Sequence, residues 1–299
     1  MTEELSRRYA DLDQWPLIDA VEAIYEGQLA AVAAVKPAVP ALAEAARQAA
    51  VRLAGDEAGR LIYAGAGTSG RLAVQDGVEL VPTSGWPRER LAFCLAGGFD
   101  ALTRSAEAAE DSAEDAERAV AALNLGAGDV LIAVAASGVT PYSVGVLRAA
   151  KARGALTIAI ANNPGTPLLA AADCPILAVT GSELVAGSTR MKAGTAQKAL
   201  LNMLSTAIML RLGRVHAGYM VNMAISNRKL RARAVNMIAD IGGCAPATAD
   251  AALAQSDGDI KMAVLICQGH APSAARALLA DTRGNLRQAL LAATKNGDQ

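Results

Sequence analysis

The chain has 299 residues, of which 53% are hydrophobic and 19% are charged, and its formal net charge at pH 7 is −1. This composition is typical of a soluble globular protein with a sizeable core in one large or two modest domains. Lysine and arginine do not cluster, so the positive charge density that nucleic-acid binding requires is missing. The first residues are acidic, and polar residues interrupt the most apolar runs before they reach membrane-spanning length. We therefore expect a cytoplasmic protein that binds neither nucleic acid nor a membrane.

Cysteine and histidine are too scattered to predict a metal site. No C-x-x-C or H-x-x-x-H pair joins the cysteines and histidines, which are Cys94, Cys174, Cys244, Cys267, His216 and His270. Buried free thiols are the simpler interpretation of the cysteines. We predict neither a metal nor a cofactor.

The first predicted elements are two helices. Residues 17–53 are rich in alanine and repeat apolar residues at intervals of three and four, and Pro37 and Pro40 interrupt the pattern. This spacing predicts a helical lead-in before the main fold.

Strands and helices alternate from residue 60 onwards. Short apolar runs, typical of strands buried on both faces, occupy 60–65, 90–97, 129–137, 155–162 and 174–180. Helical patterns fill the gaps at 70–80, 103–123 and 141–153. The alternation predicts an α/β fold in which helices cover both faces of a parallel sheet, a three-layer α/β/α arrangement.

Only helical patterns follow residue 186. Two long helices are predicted over 188–213 and 217–243, and shorter helical patterns continue to the end of the chain. We place a domain boundary after Gly243, with a larger domain over 1–243 and a small C-terminal helical bundle over 244–299.

A glycine-rich turn follows the first predicted strand. The spacing Gly65-x-Gly67-x-x-Gly70 is typical of dinucleotide-binding loops, in which glycines permit close approach of the pyrophosphate. Two details disagree with that interpretation. Ser69 stands where the dinucleotide fingerprint has an apolar residue, and Asp100 comes too late after the next strand to bind a ribose.

A second turn of the same kind favours a single small phosphate. The strand over 129–137 runs into Ser137-Gly138-Val139-Thr140 before a helix that starts at Pro141. Ordinary helix capping explains either turn alone. Two such turns in one parallel sheet instead suit the oxygens of a phosphomonoester, bound by hydroxyls and loop N–H groups. The candidate phosphate-binding residues of the two turns are Gly67, Thr68, Ser69, Ser137, Gly138 and Thr140.

A third polar segment precedes the first long helix. Ser188, Thr189 and Lys192 offer two hydroxyls and an ammonium group for a substrate phosphate or carboxylate at a helix N-terminus. A helix cap with one exposed lysine is the alternative. Arg71 has two interpretations as well, because it lies where it can pair with an anion or with Asp76.

Four stretches resemble a known family. They are "GAGTSGRLAVQDGVE" (65–79), "AEDS" (109–112), "AASGVTPY" (135–142) and "GSTRMKAGTAQKALLNMLST" (187–206). The chain resembles the sugar isomerase (SIS) superfamily in these stretches and, within it, the N-acetylmuramic acid 6-phosphate etherases. The resemblance is close over roughly residues 50 to 243. It implies an SIS-type fold and a homodimer that binds a phosphosugar without metal or cofactor.

The resemblance also implies a reaction and two catalytic residues. Members of the family remove the D-lactyl ether from position 3 of the sugar by elimination followed by addition of water. Glu79 matches the proton donor, and Glu110 matches the second catalytic glutamate, the base. Glu79 is nine residues past Gly70, which is about 13 Å along a helix. Glu110 lies in an acidic run that would ordinarily form a solvated helix face.

Some residues depart from the family pattern, and other functions stay open. Gly77-Val78 precedes Glu79 where we expect Ala-Ser, and Asn222 stands where aspartate is common. A glycine within a helix suggests close approach of another backbone or of substrate. The alternatives are a non-catalytic phosphosugar-binding regulatory protein and an SIS-type phosphosugar isomerase, which would need a ring-opening histidine.

Overall fold

The structure is a computed structural model that describes residues 2–104 and 106–297. The chain forms two compact units. One comprises Met1–Val78 and Arg88–Ile208, and the other comprises Glu79–Pro87 and Met209–Gln299. The first unit contains the sheet and all three polar segments that the sequence predicts to bind phosphate.

Two helices precede the sheet, as predicted. They are α1 (Leu17–Ala33) and α2 (Val39–Gly55), and a short 3-10 turn over Lys36–Ala38 that contains Pro37 separates them. A buried, largely alanine face of α2 packs on the sheet. The small side chains allow close approach of the helix to the strands.

The stretch Leu17–Gly55 also passes a length-and-composition test for a membrane-spanning helix. Its best window has a mean hydropathy of 1.4, and 33% of that window is buried inside the protein. The stretch contains two helices of 17 residues each, separated by the turn that includes Lys36–Ala38. At 1.5 Å per residue, each is about 25 Å long, shorter than the roughly 30 Å hydrocarbon core of a bilayer.

The sheet confirms the predicted α/β class. Its five parallel strands are β1 (Leu61–Gly65), β2 (Leu91–Leu95), β3 (Val130–Ala135), β4 (Leu156–Ala161) and β5 (Cys174–Leu177), in the order β2-β1-β3-β4-β5. The central strands β1, β3 and β4 are buried along their whole length. This explains their uninterrupted apolar sequences, because helices cover both faces.

Helices on opposite faces complete the three layers. The remaining helices of the chain up to residue 211 are α3 (Gly67–Ser84), α4 (Glu107–Glu110), α5 (Ala113–Leu123), α6 (Pro141–Ala152), α7 (Pro167–Ala171) and α8 (Lys192–Arg211). Helices α5 and α6 share a core with the side chains of Ile62 and Ala64 on β1. Tyr63, which points to the opposite face, meets α3 through Asp76.

The second unit is helical and differs from the predicted C-terminal domain. Its helices are α9 (Arg228–Gly242), α10 (Pro246–Gln255), α11 (Ile260–Cys267), α12 (Pro272–Asp281) and α13 (Leu286–Gly297). Helix α9 shares an apolar core with α10 and α11. The second unit therefore includes residues 209–243, with α9, and Glu79–Pro87, all of which the sequence analysis assigned to the first domain.

The long helix predicted over 217–243 is also too long. Helix α9 starts only at Arg228, and short turns, an isolated β-bridge and irregular backbone occupy residues 217–227. The side chain of Asn227 accepts a hydrogen bond from the backbone N–H of Leu230 at 2.9 Å, and this cap fixes the start of the helix. Similarly, the helix predicted over 103–123 divides into α4 and α5, because Ser112 caps α5.

Candidate active site

The first polar turn leads directly from β1 into α3. A Cβ atom on Gly65 would lie 2.9 Å from the Cα of Gly70, so these two backbones pack with no room for a side chain. This contact lets α3 begin at Gly67, within two residues of the strand end. Gly67 and Thr68 are partly exposed, whereas Ser69 is buried. Thr68 is thus more exposed to solvent than Ser69.

The second turn lies beside the first. Strands β1 and β3 are parallel neighbours, and their chains leave the sheet toward opposite sides, which makes this edge a topological switch point. The Oγ of Ser137 and the Oγ1 of Thr140 lie 3.4 Å apart, and the N–H of Val139 donates to the Ser137 Oγ at 3.3 Å. Two hydroxyls therefore converge just before α6, next to the turn that starts α3.

Glu110 lies against the start of α3. Its Oε1 is 2.7 Å from the point that a Cβ on Gly67 would occupy. Burial raises the pKa of the Glu110 carboxyl, and the negative charges of Asp111 and Glu107 raise it further, whereas Arg71 lowers it. The side chain is half-buried rather than on a solvated face. A carboxyl group with a raised pKa thus borders the first polar turn.

Arg71 and Asp76 do not pair with each other, so the structure does not support the second of the two interpretations of Arg71. The guanidinium of Arg71 donates to the carbonyls of Ala101 at 2.8 Å and Arg104 at 3.2 Å. Asp76 is buried and accepts from the Tyr63 hydroxyl at 2.9 Å and the Asn202 amide at 2.7 Å. Burial raises the pKa of Asp76 despite these donors. Arg71 ties α3 to the segment after β2, and Asp76 joins α3 to α8.

The third polar segment approaches the first turn. A Cβ on Gly194, in the first turn of α8, would lie 3.4 Å from the carbonyl oxygen of Thr189 and 3.7 Å from the Cγ2 of Thr68. Ser188 and Thr189 are both partly exposed. The threonines of the first and third predicted segments are therefore close in space.

Lys192 and the helix N-terminus beside it are occupied by protein groups. The backbone N–H groups of Lys192 and Ala193 each donate to one oxygen of the Glu183 carboxylate, both at 2.9 Å. The Lys192 Nζ donates to the carbonyl of Ser182 at 2.9 Å, and the residue is buried rather than exposed. Glu183, which the sequence analysis missed, thus takes the place predicted for an anion. No sequence rule pairs residues across such a loop.

Glu79 belongs to the second unit and is exposed on α3. The helix is continuous from Gly67 to Ser84, so Gly77 does not break it. A Cβ on Gly77 would lie 2.7 Å from the ring of Phe93 and 2.9 Å from the ring of Tyr63. Two aromatic rings of the sheet, rather than another backbone or a substrate, therefore explain this glycine.

Asn222, which departs from the family pattern, is buried in part. Its Oδ1 is buried and has no hydrogen-bond partner among the described residues. Within the same described ranges, no group of three or more His, Cys, Asp or Glu side chains is arranged to hold a metal ion.

Comparisons with known proteins define the class first. A family model described as the glucokinase regulatory protein N-terminal SIS domain matches residues 42–151, and the SIS domain model matches residues 101–207. A solved structure of a protein from E. coli CFT073 shares the fold with a TM-score of 0.50. It is 20% identical and covers 68% of this chain and 94% of its own. The fold is that of an SIS-domain protein.

Curated relatives define the family. An N-acetylmuramic acid 6-phosphate etherase of Deinococcus radiodurans is 48% identical over 265 residues, which is 89% of this chain and 86% of the relative. The etherase of Streptomyces coelicolor is 46% identical over 266 residues, covering 89% of this chain and 85% of its own. The chain belongs to the N-acetylmuramic acid 6-phosphate etherase family.

Proposed function

We propose that the protein is a carbon–oxygen lyase that cleaves the D-lactyl ether of N-acetylmuramic acid 6-phosphate, giving N-acetylglucosamine 6-phosphate and D-lactate in amino-sugar recycling. The observation that carries the proposal is the Glu110 carboxyl beside Gly67, at the edge where two hydroxyl-bearing turns meet. The identity to named etherases over 89% of the chain supports the same reaction.

The substrate phosphate binds at the turns after β1 and β3. In this proposal the hydroxyls of Thr68, Ser137 and Thr140 donate to its oxygens, and the N-terminal dipoles of α3 and α6 favour its negative charge, which the partial exposure of Thr68 and the Ser137–Thr140 contact support. Ser69 and the segment over 188–189 complete the set, while Lys192 contributes only if its bond to Ser182 breaks. The phosphate anchors one end of the sugar beside Glu110.

The two glutamates divide the proton transfers. Glu110 as carboxylate takes the proton from C2, the electron pair forms the C2–C3 double bond, and the C3–O bond to lactate breaks. Glu79 gives its proton to the departing lactate oxygen, and water then adds at C3 while C2 regains a proton. A raised pKa makes the Glu110 carboxylate a stronger base once it is ionised.

The two alternatives fit less well. An isomerase needs a histidine for ring opening, but His216 and His270 belong to the second unit and not to the turns of the sheet edge. Burial lowers the pKa of His216, with a smaller effect from Arg287. A non-catalytic regulatory protein has no need of a carboxyl with a raised pKa beside the phosphate turns.

We also propose that the protein is a cytoplasmic homodimer. Helix α1 exposes an apolar face at helical spacing, formed by Ile18, Val21, Tyr25, Leu29 and Val32, each between 50% and 64% exposed. A second copy of the chain, packed on this face, would remove it from water. Light scattering should give twice the chain mass, and Val21→Glu should halve it.

The cysteines support the cytoplasmic assignment. All four are free thiols, in keeping with a reducing compartment.

Glutamine substitutions test the catalytic assignment. Glu79→Gln and Glu110→Gln should each lower the rate of D-lactate release about 10²- to 10⁴-fold, because each removes a proton-transfer group. Glu114→Gln is the matched control, since Glu114 is exposed on α5 and pairs with Arg118. Binding of the substrate should survive in all three variants. An unchanged rate in Glu110→Gln would rule out its role as base.

A further inference from the structure

Thr166 is one of several buried polar side chains of the first unit with an unpaired polar atom. It is only 6% exposed, and its Oγ1 has no hydrogen-bond partner among the described residues. Threonine and valine have nearly the same shape, so burying an unpaired hydroxyl here lowers stability without improving packing. The hydroxyl therefore has an unused hydrogen-bonding capacity in this structure.

The segment that contains Thr166 is hydrogen-bonded to the second phosphate turn. The N–H of Asn162 donates to the carbonyl of Ala136, and the N–H of Leu168 donates to the carbonyl of Gly138, both at 3.1 Å. These bonds hold the segment after β3 against the segment after β4. In the sequence, Thr166 lies between the two donors, and its side chain faces Gly138.

The Thr166 side chain occupies the space that a side chain at residue 138 would need. A Cβ on Gly138 would lie 2.6 Å from the Cβ of Thr166 and would clash with its Oγ1. Gly138 has a φ of +70°, which also favours glycine. The unpaired hydroxyl thus lies directly against the backbone of the turn that offers Ser137 and Thr140.

We propose that Thr166 is a positioning residue of the phosphate site, whose hydroxyl gains its hydrogen bond with the backbone of residues 137–140 only when a phosphate occupies that turn. The bond forms as the Ser137 and Thr140 hydroxyls, now 3.4 Å apart, turn toward the phosphate and the turn shifts with them. The inference rests on the proposed function, because it assumes that the phosphate of the substrate binds at this turn.

A valine substitution separates this role from a structural one. Thr166→Val should leave the unfolding midpoint of the unliganded protein equal to or above that of the wild type. It should raise KM for N-acetylmuramic acid 6-phosphate about tenfold, which is the loss of affinity expected when one hydrogen bond is removed. The kcat should stay within about twofold of the wild-type value. The stabilisation of the protein by inorganic phosphate should shrink in parallel. Thr166→Ser, which restores the hydroxyl, should restore KM.

Thr180 provides the matched control. It is also 6% exposed with an unpaired Oγ1, but it follows β5 rather than β4. Thr180→Val should leave KM within about twofold of the wild type. Equal KM changes in both valine variants, or a Thr166→Val protein that is less stable or fails to fold, would overturn the proposal. A wild type that neither phosphate nor the phosphosugar stabilises would instead contradict the proposed function.

Discussion

Replacing Glu183 removes the acceptor of two backbone N–H groups at the start of α8. The side chain is fully buried, and its two oxygens accept from Lys192 and Ala193, each at 2.9 Å. The carboxylate also lies at the positive end of the helix dipole. Glu183→Gln leaves one acceptor oxygen and places an amide N–H₂ opposite the second backbone donor. Glu183→Ala leaves both donors buried without their partner.

The magnitudes follow from these two bonds. A hydrogen bond to a charged group contributes about 1.5–3 kcal/mol, so Glu183→Gln should lower the free energy of unfolding by about that amount. Glu183→Ala should cost about 3–5 kcal/mol, less than the sum of two bonds because the cost of burying the charge also disappears. In a domain of this size, each kcal/mol corresponds to roughly 2–4 °C in the unfolding midpoint.

Urea titration and thermal unfolding of the two variants provide the assay. Glu57→Gln serves as the control, because Glu57 is exposed in the turn before β1 and should change stability by no more than about 0.5 kcal/mol. The order of stability should be wild type and Glu57→Gln, then Glu183→Gln, then Glu183→Ala. If Glu183→Ala cost less than about 1 kcal/mol, Glu183 would not be the group that fixes the start of α8.

Three further predictions concern buried or half-buried carboxyl groups. Because the folded state raises the pKa of Glu110, its ionisation destabilises the fold as pH rises through that pKa, so inactive Glu110→Gln should unfold no earlier than wild type at pH 7. Asp111→Asn should shift the acid limb of the kcat/KM profile to lower pH, because a neighbouring charge that raises the Glu110 pKa is gone; an unmoved limb would exclude Glu110 as the titrating base. Tyr63→Phe should lower the free energy of unfolding by about 1–3 kcal/mol at pH 7, because it removes the hydroxyl that donates to Asp76. The loss should be smaller at an acidic pH at which Asp76 is protonated, and urea titration at the two pH values measures the difference.

The strands and the meeting of the two turns were predictable from the sequence. A strand covered by helices on both faces needs apolar side chains at every position, so β3 and β4 appear as unbroken apolar runs. Parallel strands then bring their carboxyl ends to one edge, which places the segments after β1 and β3 together. The sequence therefore located the candidate phosphate site without any contact information.

The starts of α8 and α9 were not predictable in the same way. Helical patterns in the sequence extend before both helices, but caps decide where the helices begin. Glu183 caps α8 from across an intervening loop, and Asn227 caps α9 locally after a series of turns. Periodicity reports which face of a helix is buried, not which distant side chain accepts its first N–H groups.

The placement of Glu110 needed the family resemblance. Its acidic neighbourhood predicts one solvated helix, whereas Ser112 caps a new helix by accepting the N–H of Asp115 at 3.1 Å. The break separates Glu110 from the exposed face of α5 and leaves it against Gly67. A one-residue cap within a charged run changes which carboxyl faces the site, and charge patterning alone does not reveal it.

The most direct test of the proposed reaction is incubation of the purified protein with N-acetylmuramic acid 6-phosphate in heavy-oxygen water. Elimination followed by hydration predicts release of D-lactate and one heavy oxygen in the C3 hydroxyl of the N-acetylglucosamine 6-phosphate product. Binding of the phosphosugar without any lactate release would contradict the lyase assignment and favour a regulatory protein. Release without label at C3 would contradict the two-step chemistry.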